Sequence, residues 1–213
     1  MSASRPAVPR LWPGCTMVLL GDGPSLTQAD VDACRGRARV LAMNYSFRLA
    51  PWADVLWSYH TRGLVETSGV DPATYPGRIF SAEPVPDHTA WPLLRLTGPD
   101  GLELDPTGLR HGNNSGYSAI NLAVHLGARR IVLLGYDCCA AQDGRFNFAK
   151  AADDPSRRAY GFEAWRRWYG TLPGPLHAAG VEVLNASRHT ALECFPRVSL
   201  EQALAGAQLG AAA

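Results

Sequence analysis

The chain has 213 residues, which suits one ordinary domain that can bury a core without disulfides or metal. Its 20 Lys and Arg residues against 19 Asp and Glu residues leave a net charge of +1, so bulk charge gives no case for nucleic acid or an anionic membrane as partner. The 5 cysteines lack Cys-x-x-Cys spacing, which excludes a paired zinc motif and indicates the reduced thiols of a cytoplasmic protein.

Apolar runs bounded by turn residues predict the strands of a sheet. They are continuous rather than alternating, which is typical of central parallel strands with helices on both faces. The predicted strands occupy residues 16–21, 39–44, 53–59, 129–137 and 180–187. Residues 67–110 are rich in Pro and Gly and hold two further short strands, "RIFSAE" and "LLRLT".

Helices are predicted between these strands. Thr27 is a candidate N-cap of the first helix, and Ser115 or Asn114 caps a later one that ends at Gly127. In "GFEAWRRWYG" (161–170), aromatic residues at helical spacing favour a core-facing stripe with a charged opposite face over a base-stacking surface. The strand and helix alternation predicts an α/β fold, a Rossmann-like doubly wound and mostly parallel sheet with helices on both faces.

The whole chain, 1–213, is interpreted as one Rossmann-like nucleotide-binding domain with flexible ends at 1–14 and 207–213. The sequence shows neither a signal-peptide pattern nor an apolar stretch long enough to span a membrane. We therefore expect no membrane span and a cytoplasmic location.

Polar residues follow the predicted strands, at the edge where open parallel sheets bind ligands. They are "GDGPS" (21–25), Asn44, "SYH" (58–60) and "GYD" (135–137). "HGNNSGYS" (111–118) precedes a helix, and its amides together with the 21–25 turn are predicted to converge on one anion. The turn is not a dinucleotide fingerprint, because Leu26 stands where the third glycine belongs.

The sequence offers little for metal or acyl-transfer chemistry. Asp30 and Asp32 form an Asp-x-Asp inside the first helix, where the expected role is a solvated face, and no metal site is implied. His60, His111 and His189 follow strand ends or precede helices, where a general base is plausible. There is no G-x-S-x-G elbow.

Taken together, "GDGPSL", "MNYSFRLAPWADVLWSYH", "NNSGYSAINLAVHLGARRIVLLGYD" and "VEVLNASRHTALECFPR" resemble a family of phage and prophage proteins. More distantly they resemble bacterial lipooligosaccharide sialyltransferases and motility-associated glycosyltransferase-like proteins. That resemblance implies a Rossmann-like fold that transfers a sugar from a cytidine nucleotide donor, with no cofactor and no catalytic metal. The implied nucleotide-binding residues are Gly21, Asp22, Gly23, Pro24, Ser25, Asn44, Asn114, Ser115, Gly116, Tyr117, Gly135 and Asp137.

The sequence departs from the sialyltransferases at two places. They carry asparagine where this chain has Asp22, and they carry a histidine, their general base, in the segment that is here "CCAAQDGRFNFAKAADDPSRRAYG". The base then falls to Asp153, Asp154, His60 or His189, or else the protein binds a nucleotide without transferring.

Three functions therefore stay open. The first is transfer from a nucleotide-sugar, favoured as a CMP-type donor, to a glycan or a phage-modified DNA base, in the host cytoplasm if the protein is phage-encoded. The second is a non-catalytic nucleotide-binding or virion-associated module. The third is a pterin or nucleotide pyrophosphokinase-like enzyme that uses Asp137, Asp153 and Asp154 for magnesium. A homo-oligomer is also left open.

Overall fold

A computed structural model of the chain describes residues 6–59, 70–71, 73–82, 93–155 and 161–211. The main sheet has six parallel strands, which are β1 (Thr16–Leu20), β2 (Arg39–Met43), β3 (Val55–Ser58), β4 (Arg78–Ser81), β7 (Arg130–Leu134) and β8 (Glu182–Asn185). Two further strands, β5 (Arg95–Gly98) and β6 (Gly108–Arg110), pair with each other. The described helices are α1 (Gln28–Asp32), α2 (Ser115–Leu126), α3 (Phe162–Tyr169), α4 (Pro173–Ala178) and α5 (Leu200–Leu204), with a 3₁₀ helix at Asn44–Arg48.

The strand order of the main sheet is β4-β3-β2-β1-β7-β8. On one side of β1 lie β2, β3 and β4, in that order, and on the other side lie β7 and then β8. The direction in which successive strands are added to the sheet therefore reverses between β1 and β7. Leu20 of β1 lies opposite Ala42 of β2 on one side and Leu134 of β7 on the other. Ligands of open α/β sheets bind beyond the carboxyl ends of the strands at such a switch point.

Alternate residues of the strands supply two hydrophobic cores, one on each face of the sheet. Leu19 of β1 packs on the face that holds Ile120 of α2, whereas Leu20 packs with Val31 of α1 and Leu204 of α5 on the other face. A parallel strand covered on both sides is apolar at every position, which explains the continuous apolar runs. The predicted α/β class with a Rossmann-like parallel sheet is confirmed.

The five long apolar runs each contain a strand of the main sheet. "RIFSAE" forms the edge strand β4, and "LLRLT" contributes β5, which pairs outside the main sheet. The partner of β5, the three-residue β6, was not predicted, because three residues are too few to show a period.

The Thr27 cap is confirmed, since its Oγ1 accepts from the N–H of Asp30 at 3.3 Å. Asn114, rather than Ser115, caps α2, and Gly127 ends that helix with φ 110°.

The interpretation of Asp30 as part of a solvated face is wrong. Asp30 is buried, and its carboxylate accepts two hydrogen bonds from the Arg188 guanidinium, at 2.7 and 2.9 Å. Asp32 is exposed and accepts from Gln28. Arg188 follows β8, far along the chain, so no local pattern around α1 reveals this ion pair.

The terminal segments predicted to be flexible make contacts with the amino end of the sheet. The N–H of Trp12 donates to the carbonyl of Leu126 at 2.9 Å, and the N–H of Gln208 donates to Oγ1 of Thr16 at 3.1 Å. Among the described residues, no helix is both long enough and apolar enough to cross a membrane.

The Arg188 and Asp30 pair gives a test of the fold. Burial alone raises the pKa of Asp30, but the hydrogen bonds from Arg188 and Thr27 outweigh burial and lower it. Arg188→Ala leaves a buried carboxylate without its cation, so we expect the free energy of unfolding to fall by about 1–2 kcal/mol, toward the low end because the Arg188 side chain is exposed to solvent. Urea unfolding at pH 7 measures the loss. Arg37→Ala, at an exposed arginine, is the control, and equal losses for the two variants would refute the assignment.

Candidate functional site

A cleft of about 460 Å³ lies at the carboxyl ends of β1, β2 and β7. Its volume is within the range of small-molecule sites, which is roughly 300–1,000 Å³. The structure brings most of the predicted nucleotide-binding residues together there, namely Gly21, Asp22, Gly23, Asn44, Asn114, Ser115, Gly116, Gly135 and Asp137. That they bind a nucleotide remains a prediction.

Three of the predicted residues do not line the cleft, which are Pro24, Ser25 and Tyr117. Tyr117 is buried in the core, and its hydroxyl hydrogen-bonds to the Gly101 carbonyl at 2.9 Å. Its place at the start of α2 did not reveal in which direction its side chain points.

The glycine turn after β1 is closed by the chain's own carboxylate. The N–H of Ser25 donates to Oδ2 of Asp137 at 2.8 Å, and its hydroxyl donates to Oδ1 at 2.7 Å. A Cβ on Gly23 would overlap that carboxylate, and a Cβ on Gly21 would lie 2.5 Å from the Gly135 carbonyl oxygen. The unusual glycine spacing is therefore explained by close approach of two backbone turns. The amide of Ser25, expected to face an anion, instead binds Asp137.

Asp22 lies in the cleft wall and is half-buried, and its Oδ1 has no hydrogen-bond partner among the described residues. Burial raises the pKa of Asp22 to about 7, although hydrogen bonds from the Asn44 side chain and the amides of Ser46 and Tyr45 act to lower it. The hydroxyl of Ser58 in turn donates to Oδ1 of Asn44 at 3.2 Å. The end of β1 thus carries a carboxyl group that changes charge near neutral pH.

The start of α2 forms another part of the cleft. Oδ1 of Asn114 accepts from the N–H of Tyr117 at 2.9 Å and from the hydroxyl of Tyr169 at 2.7 Å. The amides of Ser115 and Gly116 come before the first intrahelical hydrogen bonds, and the contacts of the described residues give neither an acceptor. Such unpaired donors at a helix N-terminus favour a negatively charged ligand group.

Backbone strain is concentrated in this cleft. Among the described residues, the non-glycine residues with positive φ are Asn44 (46°), Asn113 (54°) and Cys138 (50°). All of them line the cleft. Each such conformation costs energy and persists where the surroundings impose it, which is common at binding and catalytic sites. This observation supports the cleft as the functional site independently of the sequence motifs.

The candidate general bases that the structure describes do not line the cleft. His189 and Asp154 do not line it, and Oδ1 of Asp154 lies 3.8 Å from the Lys150 ammonium. His60 lies outside the described residues. Among the described residues, the carboxyl groups that line the cleft are those of Asp22 and Asp137. Burial raises the pKa of Asp137, but its oxygens are occupied by Ser25.

Magnesium ligands are not assembled either. Among the described residues, which include Asp137, Asp153 and Asp154, no group of three or more His, Cys, Asp or Glu side chains is placed to hold a metal ion. Asp153 is exposed.

Aromatic side chains that the sequence analysis assigned to the core also line the cleft. Phe162, Trp165 and Tyr169 of α3 line it, and so do Tyr45 of the 3₁₀ helix and Phe146 of a loop. The interpretation of α3 as a core-facing stripe holds for the buried Tyr169 and for Trp165 and Trp168, which are partly buried and pack against the core. The spacing predicted one aromatic face, but spacing alone does not distinguish a face that meets the core from one that borders a cavity.

Comparison with known proteins gives one likeness in fold. No protein-family model matches the sequence, and no curated protein matches it. The chain is similar to the solved structure of the MAf glycosyltransferase from Magnetospirillum magneticum AMB-1, with a TM-score of 0.53 and 15% sequence identity. The match covers 94% of this chain and 36% of that one, so this chain spans well under half the length of the enzyme.

At this level of identity the likeness shows the fold, and it agrees with the parallel sheet described above. The predicted resemblance to glycosyltransferases has a counterpart in this neighbour. The comparisons give no phage protein and no sialyltransferase to match the other two predicted resemblances.

Asp22 allows a prediction for stability as a function of pH. Its pKa is raised from 3.8 to about 7 in the folded protein, so between these values the native state holds a proton that the unfolded state has lost. The contribution of Asp22 to stability therefore falls as pH rises from about 4 to 7 and then levels off. Asp22→Asn does not titrate, so its stability relative to the wild type should rise with pH, by up to about 4 kcal/mol near pH 8.

Urea unfolding of the wild type and Asp22→Asn at pH 5 and pH 8 measures this difference. Asp32→Asn, which removes the charge of an exposed carboxylate on α1, is the matched control. A gap between Asp22→Asn and the wild type that is the same at both pH values would show that Asp22 is ionised throughout.

Proposed function

We propose that this protein binds a nucleotide-sugar in the cleft at the carboxyl ends of β1, β2 and β7, and that it transfers the sugar to an acceptor hydroxyl without a metal ion. The observation that carries this proposal is the meeting of the 21–25 turn, Asn44 and the start of α2 in one cleft where the strand order reverses. The likeness in fold to a glycosyltransferase supports transfer as the type of reaction.

The charges around the cleft favour a donor with one phosphate group. In the part of the chain that the structure describes, the charged residues that line the cleft are Asp22, Asp137 and Lys150. A diphosphate adds more negative charge than a single lysine offsets, and it commonly needs a divalent metal ion. A cytidine monophosphate sugar carries one phosphate, which Lys150 and the amides of Ser115 and Gly116 suit in charge.

Transfer to a hydroxyl requires a group that takes its proton. We assign this role to Asp22 in preference to His189 and Asp154, because Asp22 lines the cleft and burial raises its pKa to about 7. A base with a pKa near the working pH is both deprotonated often enough and basic enough to act. The leaving phosphate is stabilised by the amide donors of α2. A glycan fits as acceptor better than DNA, because the chain has a net charge of only +1.

Binding without transfer is the second candidate. It is favoured by one observation, that His189 and Asp154 lie outside the cleft lining. The two candidates share the nucleotide site and differ in whether the bond between sugar and phosphate is broken.

Nucleotide binding is tested by thermal shift with CMP, UDP, GDP and ATP, in EDTA and in magnesium. We expect CMP to stabilise the protein in EDTA, by about 2.7 kcal/mol at 100-fold excess over its Kd. Lys150→Met should weaken CMP binding by roughly 10-fold, because the cation near the phosphate is lost.

Arg48→Met is the matched control for Lys150→Met. Both cations lie over the Tyr45 ring, at 5.1 Å for Arg48 and 5.7 Å for Lys150, but only Lys150 lines the cleft. A failure of every nucleotide to shift the melting temperature would contradict both candidates.

Turnover separates the two candidates. Incubation with a CMP-linked sugar and a panel of glycan acceptors should release CMP, and Asp22→Asn should still bind CMP while its release falls by about 100-fold or more. CMP binding with no release by the wild-type protein would favour the binding module and contradict the transferase.

A further inference from the structure

The aromatic residues of α3 form a continuous face toward the cleft. Phe162, Trp165 and Tyr169 are spaced i, i+3 and i+7, which places them on one side of a helix, and all three line the cleft. The Phe162 and Trp165 rings meet edge to face with centroids 5.5 Å apart. Trp165 and Trp168 both pack against the core, but Trp168 does not line the cleft.

Two hydrogen bonds hold this face in position. The Arg166 guanidinium donates to the carbonyl of Cys138 at 2.9 Å, which ties α3 to the turn after β7. The Tyr169 hydroxyl donates to Oδ1 of Asn114 at 2.7 Å, which ties α3 to the cap of α2. The aromatic face is thereby held beside the helix start, whose first amides find no acceptor within the part of the chain that the structure describes.

The lining of the cleft combines two kinds of group. The amides of Ser115 and Gly116, the Lys150 ammonium and the Asp22 carboxyl are polar or charged, whereas the rings of Phe162 and Trp165 are apolar and flat. A nucleotide has the same two-part character, with a charged phosphate at one end and a flat, weakly polar base at the other. Because Tyr169 contacts the cap of α2 and Trp165 lies about one turn away along α3, a ligand with its phosphate at the start of α2 would meet Trp165 with its base.

We propose that the aromatic face of α3 is the nucleobase subsite, with Trp165 stacked on the base and the phosphate directed toward the start of α2. This inference rests on the proposed nucleotide site and adds the orientation of the ligand. Stacking of a base on an aromatic side chain contributes about 1–3 kcal/mol and tolerates different bases, because every base has a π-face. Affinity at this subsite depends on the presence of a base more than on its identity.

The experiment compares CMP with ribose 5-phosphate, which keeps the phosphate and lacks the base. Isothermal titration with the full chain gives the Kd of each ligand for the wild type, Trp165→Ala, Trp165→Phe and Trp168→Ala. We expect Trp165→Ala to weaken CMP by roughly 10-fold or more and ribose 5-phosphate by less than about 3-fold. Trp165→Phe should recover most of the CMP affinity, and Trp168→Ala should leave the ratio of the two Kd values unchanged.

Equal losses for CMP and ribose 5-phosphate in Trp165→Ala would overturn the inference, because Trp165 would then support the fold rather than the base. If Trp165→Ala leaves the CMP affinity unchanged but weakens binding of a CMP-linked sugar, the inference is also overturned, because the sugar would then lie on this face. If Trp165→Ala does not fold, Trp165→Leu, which keeps apolar bulk without a ring, supplies the same ratio. Failure of the wild type to bind CMP is a different result, which refutes the proposed function itself.

Discussion

The double hydrogen bond from Ser25 to the Asp137 carboxylate is the contact on which the arrangement of the cleft depends. It joins the turn after β1 to the turn after β7, the two strands between which the strand order reverses. Gly21 and Gly23 lack side chains because the Gly135 carbonyl and that carboxylate occupy the space. With the Ser25 amide engaged inside the protein, the amides at the start of α2 become the backbone donors that we assign to a ligand.

Burial of charge is the second constraint on the site. Asp22 and Asp137 both have pKa values raised by desolvation, and Lys150 brings a positive charge to the same cleft. Two carboxyl groups in a half-enclosed space repel a highly charged ligand while they are ionised. The cleft accordingly combines polar donors, titratable carboxyls and an aromatic wall, a composition that suits a ligand with one anionic group and a flat ring system.

Much of the fold was predictable because its determinants are local. Continuous apolar runs predicted every central strand, and the Thr27 cap and the Gly127 end of α2 followed from backbone chemistry that neighbouring residues satisfy. The strand-end rule also selected residues that the structure gathers into one cleft. The errors were of another kind. Asp30 appeared solvated because Arg188 lies at the far end of the chain. The aromatic residues of α3 do pack on the core as predicted, but the spacing did not show that some of them also line the cleft.

The sequence by itself determined the strands, the helix ends and the glycine turns, because each depends on the conformational preferences and hydrogen bonds of residues close together in the chain. Only the tertiary structure decided which polar groups are used up inside the protein and which remain for a ligand. Ser25 is engaged by Asp137, whereas Oδ1 of Asp22 keeps no partner among the described residues. The physical reason is that hydrogen-bond satisfaction and desolvation depend on neighbours that the fold brings together from distant parts of the chain.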